Sequence, residues 1–423
     1  MAHFPKPAEG SWTEHWPEIS TAPVDYTDSV DPAYYELERA AVFKKTWLMV
    51  GRVEQLPRVG SYFTKEIQVA DTSVILVRGK DKQIRAFYNI CRHRGNKLVW
   101  NDYPGEEVAG TCRTFTCKYH AWRYELDGKL AFVQQESEFF DLDKDRYGLK
   151  DVRCETWEGF IFINLDPAAA PLTDYLGEMG KGIEGYPFGE MTEVFTYRAE
   201  VGANWKLFID AFAEFYHAPI LHMKQAVKDE ADKLAAVGFE GLHYDLKYPH
   251  SMVSSWGGMS PPKDLSMVKP IERVLRAGLF GPWQRPDLPG LDELPPGLNP
   301  SRHPKWGVDS FHFFPNFMLL CWAPGWYLTY SYWPTASDRH IFESSLYFVP
   351  ARTAAERLQH ELAAVTFKEY GLQDANTLEA TQRSLKGRVI TEFPLCDQEL
   401  LLRALHQASR DYVKEYTDGT SAG

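Results

Sequence analysis

The sequence predicts an α+β protein in which a small all-β domain is inserted into a larger α+β domain built on an antiparallel sheet. Three observations carry this expectation. Short β-branched and aromatic runs, punctuated by Gly, Asp and Pro, crowd residues 48–166. A helical pattern precedes them, and long aromatic runs followed by two helical patterns close the chain. At 423 residues the chain exceeds one typical domain. The expected division is residues 1–47 as an N-terminal segment and helix packing on the larger domain, 48–166 as the small β domain, and 167–423 as the larger domain.

Taken in order, Asp31-Pro32 reads as an N-cap followed by Pro at the first helical position, so AYYELERAAVFKKTW should be helical to about Trp47. SYFTKEI, SVILVRG, QIRAFYNI, WRYEL and GFIFINL alternate as strands should. PLTDYLGEMGKGIEGY returns to a helical pattern, and EVFTYRAEVGANWK to a strand pattern. From Trp205 to about Leu221 the pattern is helical again. Residues 257–304 are dense in Gly and Pro around one helical piece, IERVLRAGL; a long irregular stretch inside a domain marks a lid, an entrance loop or a surface excursion. Residues 310–350 read as aromatic antiparallel strands, and two helices finish the chain.

A net charge of −12 and a pI near 5.6 argue against nucleic acid, which demands basic stripes, and leave no polybasic membrane patch. No window of 18 uncharged apolar residues suggests a membrane span, and the first 20 residues lack a secretory pattern. Beyond Cys91 and Cys117, the cysteines Cys112, Cys154, Cys321 and Cys396 show no evident pairing, so a reducing cytoplasm is the expected compartment.

Chemistry concentrates at Cys91-x-His93 and Cys117-x-x-His120, two loops with 23 residues between them. Two thiolates and two imidazoles at turn tips between strands fit a Rieske [2Fe–2S] centre, in which two His replace Cys on one iron. Tetrahedral zinc takes the same ligand types, although Cys-x-His is tighter than the usual zinc knuckle. A second constellation lies at Glu214, His217 and His222. Two histidines five apart diverge by about 140° on an ideal helix, but Pro219 between them breaks the ladder and could turn both inward. Two His and a carboxylate form the facial triad of non-haem Fe(II) oxygenases. The other reading is two ordinary histidines on an amphipathic helix.

Cys91-Arg92-His93-Arg94-Gly95 and Cys117-Lys118-Tyr119-His120-Ala121-Trp122 resemble the Rieske loops of aromatic-ring-hydroxylating oxygenase large (alpha) subunits, in which Gly commonly stands where Ala121 is. Glu214-x-x-His217-x(4)-His222 resembles the same family's iron segment, usually with Asp as the acid; Glu resembles the choline and carnitine monooxygenase relatives. Asp374, in the pattern Asp374-x(4)-Glu379-x-x-Gln382, resembles the family's late third ligand. Its rival, Asp397, reads more economically as an N-cap, and Asp210, where relatives often have Asn, as a solvent-facing or helix-side carboxylate.

The resemblance implies a Rieske domain inserted into a helix-grip-like catalytic domain. It implies a [2Fe–2S] cluster on Cys91, His93, Cys117 and His120, and a mononuclear Fe(II) on His217, His222 and Asp374. It further implies a head-to-tail homotrimer, with or without a small beta subunit, in which Glu214 relays electrons between His120 and a neighbour's His217. NAD(P)H would serve only through a separate flavin reductase or ferredoxin, since no G-x-G-x-x-G turn follows a strand here. The expected activity is mono- or dioxygenation, or oxidative demethylation, of an aromatic or other small organic substrate with O2. Phe208, Phe212, Phe215, Phe311, Phe313, Phe314, Trp322, Trp326 and Tyr332 are candidates for pocket or core. A Rieske electron carrier without oxygenase activity and a zinc-stabilised binding module are the competing classes.

Overall fold

The computed structural model describes residues 11–222, 241–256, 269–270 and 285–421. They form two compact units, one of residues 39–175 and one of residues 1–38 with 176–423. These boundaries differ by about nine residues from the expected 47/48 and 166/167, and the contacts explain the shift. Lys45 pairs with Asp166 at 2.9 Å, and the Trp47 indole donates to the Ala170 carbonyl at 3.0 Å. Both flanks of the β domain therefore belong to it. The helix expected to reach Trp47 is α-helical only as α1 (Pro32–Glu38) and continues as a π-helical turn, Arg39–Phe43. Its start is as expected: Asp31 Oδ1 accepts from the Ala33 N–H at 3.1 Å.

A short strand, β1 (Val24–Asp25), pairs with β19 (Glu392–Phe393). The β unit holds β2 (Leu48–Arg52), β3 (Ser61–Ile67), β4 (Thr72–Arg78), β5 (Ile84–Tyr88), β6 (Ala109–Thr111), β10 (Asp151–Trp157) and β11 (Phe160–Asn164). They form one antiparallel sheet in the order β2-β11-β10-β5-β4-β3-β6. A small second sheet contains β7 (Phe115–Thr116), β8 (Arg123–Tyr124) and β9 (Leu130–Phe132). The apolar faces of both meet around Ile75, Val77, Phe87, Trp122 and Tyr124, and Cys91 and Cys117 lie in that core.

The larger unit is built on β12 (Glu193–Val201), β13 (Gly241–Lys247), β14 (His250–Ser255), β15 (Val308–Phe313), β16 (Phe317–Trp322), β17 (Trp326–Ala336) and β18 (Arg339–Phe348). The order β12-β18-β17-β16-β15-β14-β13 makes a seven-stranded antiparallel sheet. Strands β14, β15 and β16 are buried along their whole length, which explains their near-continuous aromatic and aliphatic runs. The Trp322↔Trp326 register closes a tight turn at Gly325, whose φ of +91° favours glycine and where a Cβ would meet Leu291 at 2.8 Å.

The helices are α2 (Leu172–Lys181), which straddles the boundary between the units, then α3 (Trp205–Phe212), α4 (Ala218–Leu221), α5 (Ala354–Leu385) and α6 (Leu400–Ser421). Helix α3 packs on β17, α5 on β12 and α6 on β14. Of the 257–304 segment, residues 257–268 and 271–284, including IERVLRAGL, lie outside the described residues. Residues 285–304 are tied to the sheet where Asp309 Oδ2 accepts from the Asn299 N–H at 2.7 Å.

Candidate functional site

In the β unit the two Cys/His loops meet. Cys91 and Cys117 are 2 % and 3 % exposed, so their thiols sit in the core, while both histidines are partly exposed at the tips. The Tyr124 hydroxyl lies 3.3 Å from the Cys91 sulfur, and the Asn96 amide lies 3.8 Å from that of Cys117. The rings of His93 and His120 are 4.7 Å apart, and His93 stacks on Trp122. Burial and the neighbouring His120 and Arg94 charges depress the basicity of His93, a shift toward the neutral form that a metal ligand needs. Its Nδ1 is buried without a partner, an open donor position at the tip.

Around tetrahedral zinc, ligand atoms stand about 3.3–3.8 Å apart. Among the described residues, no three of these four side chains bring ligand atoms within 4.8 Å of one another. A wider spread suits a dinuclear cluster, so the residues fit a Rieske centre better than a single zinc ion.

Ala121 supplies the turn between His120 and Trp122 at a φ of +57°. That left-handed conformation is the physical reason for glycine at this place, and Ala bears some strain there.

The second site is on the larger unit. Asn204 caps α3, accepting from the Lys206 N–H at 3.0 Å. The helix ends at Phe212, and the chain bends through residues 213–217 before α4, which carries Pro219 in its first turn. The bend cancels the angular divergence of an unbroken helix. His217 Nε2 and His222 Nε2 come within 3.2 Å, and Asp374 Oδ1, from the middle of α5, lies 3.6 Å from each. Ligands at about 2.1 Å from one ion stand roughly 3.0–3.4 Å apart. Among the described residues, this is the single group of three or more His, Cys, Asp or Glu side chains converging closely enough to hold a metal.

Asp374 is 1 % exposed, and neither carboxylate oxygen has a hydrogen-bond partner. Such burial of a carboxylate needs a counter-charge, and burial pushes its carboxyl up to about 7 against the attraction of His217. The residues thus fit a cation. Burial alone would lower the pKa of His217; the Glu214 charge outweighs it and pushes the group up to about 9. Glu214 Oε1 is 2.5 Å from His217 Nδ1 and its Oε2 accepts from the His217 N–H. The other side of the site has a counterpart that sequence reasoning missed. Gln373 Oε1 lies 2.8 Å from His222 Nδ1, so each histidine is oriented with Nε2 toward the triad. The adjacency of Gln373 to Asp374 was the available signal.

Asp397 is not in the group that could hold a metal; it opens a 3-10 turn, Asp397–Glu399, whose N-cap is Cys396. It accepts from Ser11, Trp12 and Thr13, and these bonds hold its carboxyl well below the usual range although burial opposes them. Asp210 is 7 % exposed rather than solvent-facing, with Tyr26 and His406 on one oxygen.

Two cavities flank the triad. One, of about 50 Å³, is walled by Phe212, Phe215, Leu320, Trp322, Tyr330, Phe367 and Tyr370 beside His217 and His222. Of the aromatic candidates only Phe212, Phe215 and Trp322 line it; Phe208, Phe311, Phe313, Phe314, Trp326 and Tyr332 are buried core. The second, of about 290 Å³, lies against Asp210, Glu214, His217 and Asp374, with leucine walls from α5 and α6.

Residues 188–415 match the family model of the ring hydroxylating alpha subunit (catalytic domain), and residues 46–149 match that of the Rieske [2Fe-2S] domain. The carnitine monooxygenase oxygenase subunit of Escherichia coli (strain K12) is 33% identical over 261 residues, 60% of this chain and 63% of that protein. The glycine betaine monooxygenase oxygenase subunit of Pseudomonas aeruginosa (strain UCBPP-PA14) is 33% identical over 187 residues, 44% of this chain and 42% of that protein. The match therefore spans less than two thirds of these relatives. A solved quaternary ammonium Rieske monooxygenase, described with carnitine oxidation and inter-subunit electron transfer, superposes with a TM-score of 0.71 at 20% identity, covering 94% of this chain and 96% of that one.

Proposed function

Since the chain belongs to the ring-hydroxylating alpha-subunit family, we propose that it is the terminal oxygenase of a Rieske non-haem iron system. In this reading it uses O2 and externally supplied electrons to hydroxylate, or oxidatively demethylate, a compact organic substrate. One observation carries the proposal: His217, His222 and a doubly unpartnered Asp374 converge at 3.2–3.6 Å. An inert second domain would leave no such cluster.

Cys91, His93, Cys117 and His120 hold the [2Fe–2S] cluster in this reading, and His217, His222 and Asp374 hold Fe(II). The bound groups supply single electrons and open coordination positions for O2 chemistry. The chain's own residues do the rest. Glu214 fixes the His217 ring through Nδ1 and, in a head-to-tail trimer, would accept a hydrogen bond from a neighbour's His120. Gln373 fixes the His222 ring. The aromatic walls exclude water and orient the substrate. A ferredoxin or flavin reductase would deliver the electrons.

The six aromatic rings suit an N-methylated ammonium group, because a cation over such faces gains about 0.5–2 kcal/mol, and the carnitine and betaine relatives favour that substrate class. A planar aromatic ring is the second reading. It is favoured because no Lys or Arg is among the described residues lining this cavity, where a carboxylate such as carnitine's would need one. Iron and acid-labile sulfide analysis, followed by a panel of N-methylated ammonium compounds and arenes under ¹⁸O2 with a surrogate reductase, tests the proposal. Expected are three irons and two sulfides per chain and labelled oxygen in product. A colourless protein without sulfide would overturn it.

A further inference from the structure

We propose that Glu369 is a positioning residue for the metal site. Its carboxylate pins the Gln373 amide with the oxygen toward His222, which commits His222 to the tautomer that can hold a cation through Nε2. The inference rests on the metal-centre part of the oxygenase reading and adds what sets the state of the second histidine.

The need arises at the imidazole. A neutral histidine has one protonated and one bare ring nitrogen, and a cation takes the bare one. With Nε2 toward the triad, Nδ1 must carry the proton and its partner must accept. His222 is buried, its ring packed against Tyr370 at 4.7 Å and His217 at 5.1 Å between centroids. That packing holds the ring, and Gln373 Oε1 lies 2.8 Å from its Nδ1. The amide is the part that can turn over, because its accepting oxygen and donating nitrogen are nearly the same size. Gln373 is half-buried, so packing alone does not choose between them. With the nitrogen forward, a donor would face Nδ1. The proton would then sit on Nε2, and the lone pair that a cation needs would be gone.

The choice is made one helical turn earlier. Glu369 and Gln373 are four residues apart on α5 and share a face. Gln373 Nε2 donates to Glu369 Oε1 at 3.3 Å, the one side-chain hydrogen bond that Glu369 makes among the described residues. A carboxylate oxygen accepts, so it holds the amide nitrogen and leaves the amide oxygen for His222. The two histidines of the triad therefore have different partners. His217 Nδ1 meets the Glu214 carboxylate directly, whereas His222 Nδ1 meets a neutral amide backed by a carboxylate. Electrostatics gives a reason for the difference. A divalent cation with Asp374 and Glu214 is formally neutral, and a third carboxylate against His222 would leave a net negative charge in a buried site. The amide supplies an acceptor without that charge.

The test uses the full-length protein with its cluster oxidised and its mononuclear site emptied by a chelator, and Co(II) affinity is read by competition. Gln373→Leu removes the acceptor and should weaken Co(II) binding about tenfold or more. Glu369→Ala frees the amide to turn over and should weaken it about fivefold. In a Gln373→Glu background the group facing His222 has oxygen at both ends, so Glu369→Ala should change the affinity by less than about twofold. A role in helix stability alone would give the same loss in both backgrounds; that result, or no loss in either, overturns the inference. Spectroscopy gives an independent reading. With Cu(II) in the site, the electron spin-echo modulation from the remote imidazole nitrogens should change for one histidine in Glu369→Ala and stay constant for the one bonded to Glu214. An unchanged pair also overturns it. Should Glu369→Ala fail to fold, Glu369→Leu is judged in the same two backgrounds. A wild type that binds Co(II) no better than His217→Ala would sink the metal-centre reading, whereas the other outcomes leave that reading standing.

Discussion

Protons compete with a metal at the triad, because burial pushes Asp374 up to about 7 and Glu214 pushes His217 up to about 9. Both groups must lose a proton to bind a cation. Iron affinity, measured by chelator competition, should therefore fall about tenfold per pH unit below 9, and approach a hundredfold per unit below 7. Asp309 gives a separate pH signature. Burial raises its carboxyl to about 7 against hydrogen bonds from Ser254 and Asn299. Its folded pKa exceeds the unfolded value near 4, so native protein binds the extra proton between the two. Stability is then fully present below pH 4 and declines toward 7, by at most about 1.4 kcal/mol per pH unit. Asp309→Asn should flatten that slope in denaturant titrations at pH 5 and 8; an unchanged difference would remove Asp309 as its source. At the cluster loop, Ala121→Gly should relieve the left-handed strain and raise stability by about 0.5–1 kcal/mol, read as a higher thermal midpoint.

At the scale of elements, α5 must present Asp374 to histidines some 150 residues earlier, and two side chains fasten it there. Glu379 accepts from the Gly202 N–H at 2.9 Å, and Gln382 accepts from the Asn204 N–H at 2.7 Å. These bonds grip the start of α3, the helix leading into the bend with His217. The Asp374-x(4)-Glu379-x-x-Gln382 pattern thus has a mechanical meaning: a proposed ligand followed by two staples. Gln382→Leu should leave the buried Asn204 N–H unpaired, cost about 1–3 kcal/mol, and weaken iron binding more than a surface change such as Glu392→Gln. Equal iron affinity in both variants would show that the staple does not position the ligand. The broken helix is the other element-scale device. Its bend between Phe212 and Ala218 places the ring nitrogens of residues five apart on one metal-sized triangle.

For the whole molecule, the prediction concerns which chain serves which iron. If electrons pass between subunits, a Cys91→Ser chain without a cluster and a His217→Ala chain without the mononuclear iron should complement each other when co-assembled. In the proposed trimer, assembled at random, about a quarter of the iron positions combine an intact triad with an intact neighbouring cluster, so about a quarter of wild-type activity should return. Activity at the level of either variant alone would mean that each chain serves itself. No helix among the described residues is long and apolar enough to cross a membrane.

The sequence alone determined the strands of the β unit, where β3 has the expected residues 61–67 and β4 and β11 lie within a residue of theirs. Alternation and turn residues are local signals, and so are the spacings that flagged Cys91, His93, Cys117, His120, His217 and His222. Asp374 was legible only through its resemblance pattern, because nothing local distinguishes one buried helical carboxylate from another. Tertiary structure decided the rest. Whether His217 and His222 converge depends on the bend and on where α5 lies. His406 and Asp210 meet across 196 positions, and no sequence period encodes that meeting. Burial likewise exists only after packing, and it turns Asp210, Asp309 and Asp374 from ordinary carboxylates into groups whose charge must be answered by a partner, a proton or a cation.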